Sequence, residues 1–272
     1  MNEGFKPTQG VKFGDDIYPL YDLNVLRSAL LYTGEIPPEI PAHIAENSAR
    51  VPDRLKQAEF KKNYPIAIVG YGPTLQEQWP RLKTYQTVVT TSGAYKYLLD
   101  RDIVPTHHVE VDYRERKAVH TQEVDPETEF LMCSICHPKT IDNGLRGYSL
   151  RLYHIALDGI SYPEGELVIP GYWDVGQTAM LVMQTLGYTN QHLFGFDYSF
   201  DLNWKDHSGF HNGPPKHYVF AKCGERLYPT SDSLCRGVMT FTQMLKDNPE
   251  INIKVFSSGL LGAYLEKHYN GG

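Results

Sequence analysis

The sequence predicts an α/β chain: a Rossmann-like, mostly parallel sheet with helices on both faces, a helical amino-terminal appendage and a small β-hairpin insertion. Three observations predict it. From Tyr64 onward, short apolar runs alternate with stretches of helical apolar spacing. Glycines, acids, hydroxyl residues and histidines fall just after the apolar runs, where open α/β sheets place their ligands. With 272 residues, 41% hydrophobic and 21% charged, the chain can bury one large core.

The elements follow in order. Residues 1–62 differ from the rest. Leu23, Leu26 and Leu30 have helical spacing, Gly34-Glu35-Ile36-Pro37-Pro38 breaks it, and a polar amphipathic stretch runs on to Lys62. This predicts a helical appendage outside a catalytic domain of residues 63–272, and its apolar positions suit a homo-oligomer contact. Strands are predicted over 66–69, 87–90, 107–111, 129–133, 149–154, 192–195 and 252–256. Helices are predicted over 75–83, 93–101, 114–122, 138–143, 175–187 and 231–247. Residues 218–223 and 225–228, around Cys223-Gly224, read as the inserted hairpin.

Composition excludes several functions. A net charge of −6 disfavours nonspecific nucleic-acid binding. No apolar run approaches the ~18 residues that cross a bilayer, and the first residues lack signal-peptide character, so a cytoplasmic chain without membrane contact is expected. Cys133 and Cys136, followed by His137, form a CxxCH. The apolar run that leads into it makes these core cysteines, and neither zinc nor haem is expected.

Five places carry candidate chemistry. Gly70-Tyr71-Gly72-Pro73-Thr74 follows the first predicted strand, and its glycines let backbone approach a phosphate or nucleoside. It lacks the Gly-Lys-Ser/Thr of a Walker loop and the third glycine of a dinucleotide fingerprint. Ser92 and Gly93 sit where a hydroxyl either caps a helix or binds a ribose. Glu110-Val111-Asp112 ends the third strand; Asp112 either caps and pairs with Arg114 or Arg116, or holds a ribose, a divalent ion or a reacting hydroxyl. Gly176-Gln177-Thr178, after Trp173-Asp174-Val175, opens a helix whose N–H groups suit an anion. Gly195-Phe196-Asp197 ends an apolar strand, and a polar loop with His207, His211 and His217 follows it. One of these histidines is a candidate general base.

The ordered set resembles a known family. Ile68-Val69-Gly70-Tyr71-Gly72-Pro73-Thr74-Leu75, Ser92-Gly93-Ala94-Tyr95-Lys96-Tyr97-Leu98, Ile103-Val104-Pro105, Glu110-Val111-Asp112, Gly176-Gln177-Thr178, Leu186-Gly187-Tyr188 and Phe194-Gly195-Phe196-Asp197 resemble the MptE-like 6-hydroxymethylpterin diphosphokinases over about residues 64–260. The same order is similar to motility-associated flagellin glycosyltransferases and, more distantly, to bacterial sialyltransferases that use CMP-sialic acid. Thr74 stands where those relatives carry Ser, which keeps the hydroxyl. The resemblance implies a transferase whose glycine loops and helix start surround a nucleotide-activated donor.

Two catalytic readings follow from it, beside a non-catalytic nucleotide- or partner-binding module. In glycosyl transfer, His211 (or His207) deprotonates a hydroxyl acceptor while Asp112 and Asp197 orient sugar or ribose. In diphosphate transfer from ATP to a hydroxymethylpterin-type substrate, Asp112 and Asp197 hold Mg²⁺. Under either reading the nucleotide is expected across the ends of the first and sixth predicted strands, at Gly70, Gly72, Pro73, Thr74 and Gly176. A valine at Gly72 is then expected to block it and leave the fold intact.

Overall fold

A computed structural model describes residues 9–13, 16–24, 36–201 and 218–269. In chain order the strands and helices are β1 (Gln9–Phe13), β2 (Asp16–Asp22), α1 (Ile40–Arg50), β3 (Ile66–Val69), α2 (Leu75–Gln78), β4 (Val88–Thr91), α3 (Ala94–Leu99), β5 (His107–Glu110), β6 (Glu129–Cys133) and α4 (Pro138–Gly144). They continue with β7 (Ser149–Ile155), β8 (Val168–Ile169), α5 (Val175–Thr185), β9 (Asn190–Phe194), β10 (Tyr218–Cys223), β11 (Arg226–Ser231), α6 (Asp232–Asp247), β12 (Asn252–Phe256) and α7 (Leu260–His268). The segments after α2 and after β5 wind into 3₁₀ helices, Trp79–Thr84 and Glu115–Thr121, where α-helix is expected over most of the first and all of the second.

Eight strands form one sheet in the order β12-β9-β3-β4-β5-β6-β7-β8, every neighbouring pair parallel. Ile66, Ala67, Ile68 and Val69 of β3 are all fully buried, which is why this strand reads as a continuous apolar run without alternation. Helix α5 is buried along Gly176–Met183 and packs across β3, β4 and β5. A smaller apolar cluster on Ala67, Val69, Val88, Leu98 and Phe194 lies against Leu75 of α2 and Ala94 of α3. The helices end on recognisable caps. Ser231 accepts from the Leu234 N–H at the start of α6, and Asp174 accepts from the Gln177 N–H at the start of α5.

The amino-terminal segment departs from expectation. Gln9–Phe13 and Asp16–Asp22 are antiparallel strands, β1 paired with β2, rather than helix. β2 then runs parallel to β10, so the predicted hairpin β10–β11 belongs to a second, four-stranded sheet in the order β1-β2-β10-β11. The burial along β2 does not alternate, Ile17 being exposed, Tyr18 half-buried and Leu20 and Tyr21 both buried, so no strand period marks it in the sequence. Among the described residues of this region, α1 keeps the helical character that is expected. Beyond it the chain is extended along the main domain: the Leu152 N–H donates to the Asp53 carbonyl (2.9 Å), the Leu55 N–H to the Leu152 carbonyl (2.8 Å) and the Lys62 N–H to the Gly187 carbonyl (2.8 Å). Leu23 is fully buried in the chain's own core, so it offers nothing to a second copy. Val25, Leu26 and Leu30, the other apolar positions expected to form that contact, lie outside the described residues.

The CxxCH lies at the end of β6 and the start of α4. Both thiols are buried, and burial pushes Cys133 up to about 12 and Cys136 well above the ordinary thiol value. The His137 ring nitrogen accepts from the Lys139 N–H and caps α4. Among the described residues, no helix is long and apolar enough to cross a membrane.

Candidate functional site

From β3 the large sheet grows outward to β8, whereas β9 and β12 lie on its other side. The connections leaving β3 and β9 therefore diverge, and open a crevice at the carboxyl ends of these two strands. A cavity of about 350 Å³ lies there. Its walls hold Gly70 and Gly72 after β3, Ser92 after β4, Gly176 at the start of α5, and Gly195 and Asp197 after β9. Six of the sequence-predicted site residues are thus brought to one place from four separate segments.

The glycines serve the meeting of the two loops. The Gly70 N–H donates to the Phe194 carbonyl (2.8 Å) and the Gly72 N–H to the Gly195 carbonyl (2.9 Å). Gly195 has φ 65°, in the left-handed region that glycine enters without cost. A Cβ on Gly72 would sit 2.2 Å from Asp197 Oδ2 and 2.6 Å from the Gly195 carbonyl oxygen. The expectation that valine at Gly72 leaves the fold intact is therefore corrected: the side chain would enter the protein, not only the ligand path.

Asp197 joins three segments. It is 3% exposed and accepts from the Thr74 N–H (2.9 Å), the Thr74 hydroxyl (2.7 Å) and the Ser257 hydroxyl. Burial pushes its carboxyl upward, and these hydrogen bonds offset part of that rise. Thr74 thus works behind the cavity wall as the anchor of Asp197. Pro73 lies in the same turn, its carbonyl accepting from the Gln76 N–H at 3.2 Å.

Other predicted residues fall elsewhere. Gln177 is buried and donates from its amide to the Gly237 carbonyl (2.9 Å), and the Thr178 hydroxyl donates to the Asp174 carbonyl (3.0 Å). Both hold α5 in place. Gly93 packs against the Tyr71 ring. Asp112 lies at the end of β5, three strands from β9, roughly 14 Å at the usual strand spacing. Its carboxylate accepts from the Arg114 N–H (3.0 Å) and guanidinium (2.8 Å). Burial works upward on this group, but Arg114 overrides it and holds the carboxyl below the ordinary value. The turn and ion-pair role is the one the geometry gives Asp112. The expected Asp112–Asp197 metal pair is not assembled, since both carboxylates are committed to protein donors. Among the described residues no cluster of three His, Cys, Asp or Glu side chains could hold a metal ion. His207, His211 and His217 lie outside the described residues.

Sequence reading places Asp174 and Tyr198 beside the candidate glycines but gives neither a role. Both line the cavity, and the Tyr198 hydroxyl donates to Asp174 Oδ2 at 2.5 Å. Burial pushes the Asp174 carboxyl upward, against hydrogen bonds from Tyr198 and Gln177. One signal was present: Asp174-x-x-Gln177 is a capping-box spacing, which fixes the aspartate at the helix entrance. Ser92 and Tyr198 have φ 45° and 53°, so two non-glycine residues of this wall are held in the left-handed region. Such strain collects at sites where geometry is over-determined.

Glu110, two residues before Asp112, is fully buried. Its Oε1 accepts from the Val111 (2.9 Å) and Asp112 (3.3 Å) N–H groups, and its Oε2 has no hydrogen-bond partner. Burial pushes this carboxyl up to about 7. A raised acid favours folding fully below its unfolded value near 4.5, and that contribution is lost as pH rises through 7. Glu110→Gln should therefore match the parent near pH 4 and exceed it at pH 8 by about 3 kcal/mol. Urea denaturation at both pH values measures this; a difference that does not change with pH rules it out.

The family described as 6-hydroxymethylpterin diphosphokinase MptE-like matches residues 42–203, more than half of the chain. No curated protein matches it by sequence. Among solved structures, the MAf glycosyltransferase from Magnetospirillum magneticum AMB-1 superposes with a TM-score of 0.64 at 16% identity, over 81% of this chain and 36% of that one. The chain thus spans about a third of that protein's length. A mammalian sialyltransferase in complex with Gal-beta-1-3GalNAc-ortho-nitrophenol matches at TM-score 0.40 and 15% identity, over 82% of this chain and 81% of that one. The parallel sheet, the glycine loops at its switch point and the matched segment together place this chain in the MptE-like family.

Proposed function

We propose that the chain is a nucleotide-dependent transferase that moves a sugar from a nucleotide-sugar donor to a hydroxyl acceptor. The observation that carries this reading is the cavity between β3 and β9. Backbone of two glycine loops and the start of α5 face it, and Tyr71, Phe196 and Phe200 supply aromatic wall for a base. Backbone N–H groups and a helix start suit one or two phosphates. A triphosphate in transfer asks for cations and metal-binding carboxylates as well.

In this reading the bond from the anomeric carbon to the phosphate oxygen breaks as the acceptor oxygen attacks that carbon. The acceptor proton passes to His211, in the stretch that begins just beyond the cavity-lining Phe200, and the charge left on the phosphate is met by backbone N–H groups. The family's diphosphate transfer from ATP is the second reading, favoured by the sequence match over residues 42–203. Mg²⁺ fits it poorly here, because Asp112 and Asp197 are apart and already bonded.

Thermal shift with CMP, CTP, UDP, GDP and ATP, each with and without Mg²⁺, tests the choice. A nucleotide at 100 times its Kd stabilises by about 2.7 kcal/mol. The expected result is a shift with a mono- or diphosphate that does not need Mg²⁺. A shift with ATP and Mg²⁺ alone overturns glycosyl transfer in favour of the second reading.

A further inference from the structure

A second cavity, of about 360 Å³, also has Tyr71 in its lining. Tyr71 thus belongs to both cavities. Its ring lies against Gly93 of the second cavity, where a Cβ would come within 2.5 Å of it. We infer that this second cavity binds the acceptor, and that the acceptor is a neutral, hydroxyl-rich ring of the carbohydrate type. The inference deepens the transferase reading and rests on it.

The chemistry of the walls selects that class. Tyr71 and Tyr97 meet with ring centroids 5.7 Å apart and planes at 60°, so they make a corner, not a parallel slot. The Arg101 guanidinium covers the Tyr97 ring at 3.5 Å, which closes that face to a stacking heterocycle. A puckered ring lays C–H bonds against such a corner, whereas a flat one finds no pair of parallel faces. The charged lining balances: Lys96 and Arg101 stand against Asp100 and Glu123, with Lys96 Nζ 3.1 Å from Asp100 and 2.9 Å from Glu123. Four full charges with no net sign give little attraction to an ion. They supply both acceptors and donors, which is what a hydroxyl group uses. The volume falls within the range of small-molecule sites.

The position agrees with the role. A ligand here and a nucleotide in the first cavity would both touch Tyr71, and bimolecular transfer needs two reactants held side by side.

Saturation-transfer NMR on the full chain tests the inference. The probes are methyl β-D-galactopyranoside, methyl 2-acetamido-2-deoxy-glucopyranoside and a pterin as flat heterocycle, each with and without the nucleotide that gives the largest thermal shift. At least one glycoside should receive saturation at millimolar concentration. Val119→Trp fills the mouth from a half-exposed position, and Glu123→Ala removes an exposed carboxylate. Each should weaken the glycoside about tenfold and leave the nucleotide thermal shift unchanged. No saturation of either glycoside overturns the inference, as does saturation of the pterin alone, or glycoside binding that Val119→Trp does not alter. Absence of any nucleotide shift in the parent chain is a separate failure, of the transferase reading itself.

Discussion

Gly72→Ala should destabilise the chain by about 3 kcal/mol, and Gly72→Val by at least as much. The clash begins at Cβ, so the smallest possible side chain already meets Asp197 Oδ2 and the Gly195 carbonyl. Neither neighbour can yield. The Gly195 carbonyl accepts the Gly72 N–H itself, and Asp197 is pinned by Thr74 and Ser257. Moving the loop to admit a methyl group would break the seam between β3 and β9 and strand a buried carboxylate without its donors. Urea denaturation measures the loss. Gly72→Ala within about 0.5 kcal/mol of the parent would show that the loop has slack and that the glycine serves a ligand alone. Ser233→Trp is the better probe of the cavity, since Ser233 lines it from an exposed position. It should abolish the nucleotide-induced thermal shift at a stability cost of less than about 0.5 kcal/mol.

That contrast marks how far the sequence was legible. Apolar runs such as 66–69 and 129–133 are strands because a parallel sheet buried on both faces needs unbroken hydrophobic sequence, and local pattern reports this directly. The switch point followed from the glycines and acids that close the runs, so Gly70, Gly72, Ser92, Gly176, Gly195 and Asp197 were found together. What local pattern could not supply was partnership. Asp112 and Asp197 each end a strand with a carboxylate, but only strand order shows them far apart, and only side-chain contacts give Asp112 to Arg114. The pair β1–β2 escaped for a related reason. It exists because β10, some 200 residues later, offers β2 a parallel edge, and that pairing leaves no periodic trace in residues 9–22. β8, two residues long, is too short for any pattern to form.

Under glycosyl transfer, His211→Ala should lower turnover by about 10²–10⁴-fold with donor affinity unchanged, the range that loss of a general base produces. His207→Ala should do less, because it stands earlier in the same stretch. Asp112→Asn should leave turnover near that of the parent. Its remaining carbonyl oxygen still accepts from the Arg114 N–H, and the group does not line the first cavity. Asp174→Asn falls between these extremes. It keeps the oxygen that caps α5 but weakens the bond from Tyr198, so the wall shifts where a donor would lie. Diphosphate transfer reverses the order, since a carboxylate that binds Mg²⁺ cannot be replaced by an amide at little cost, and a deprotonating histidine matters less to a loose transition state. Assays of the four variants across pH, with one active donor, separate the two. With His211 as base, the acid limb of the pH–rate profile disappears in His211→Ala alone. Full activity in His211→Ala, together with loss of activity and of Mg²⁺ response in Asp112→Asn, would set glycosyl transfer aside and return Asp112 to the chemistry despite its bond to Arg114.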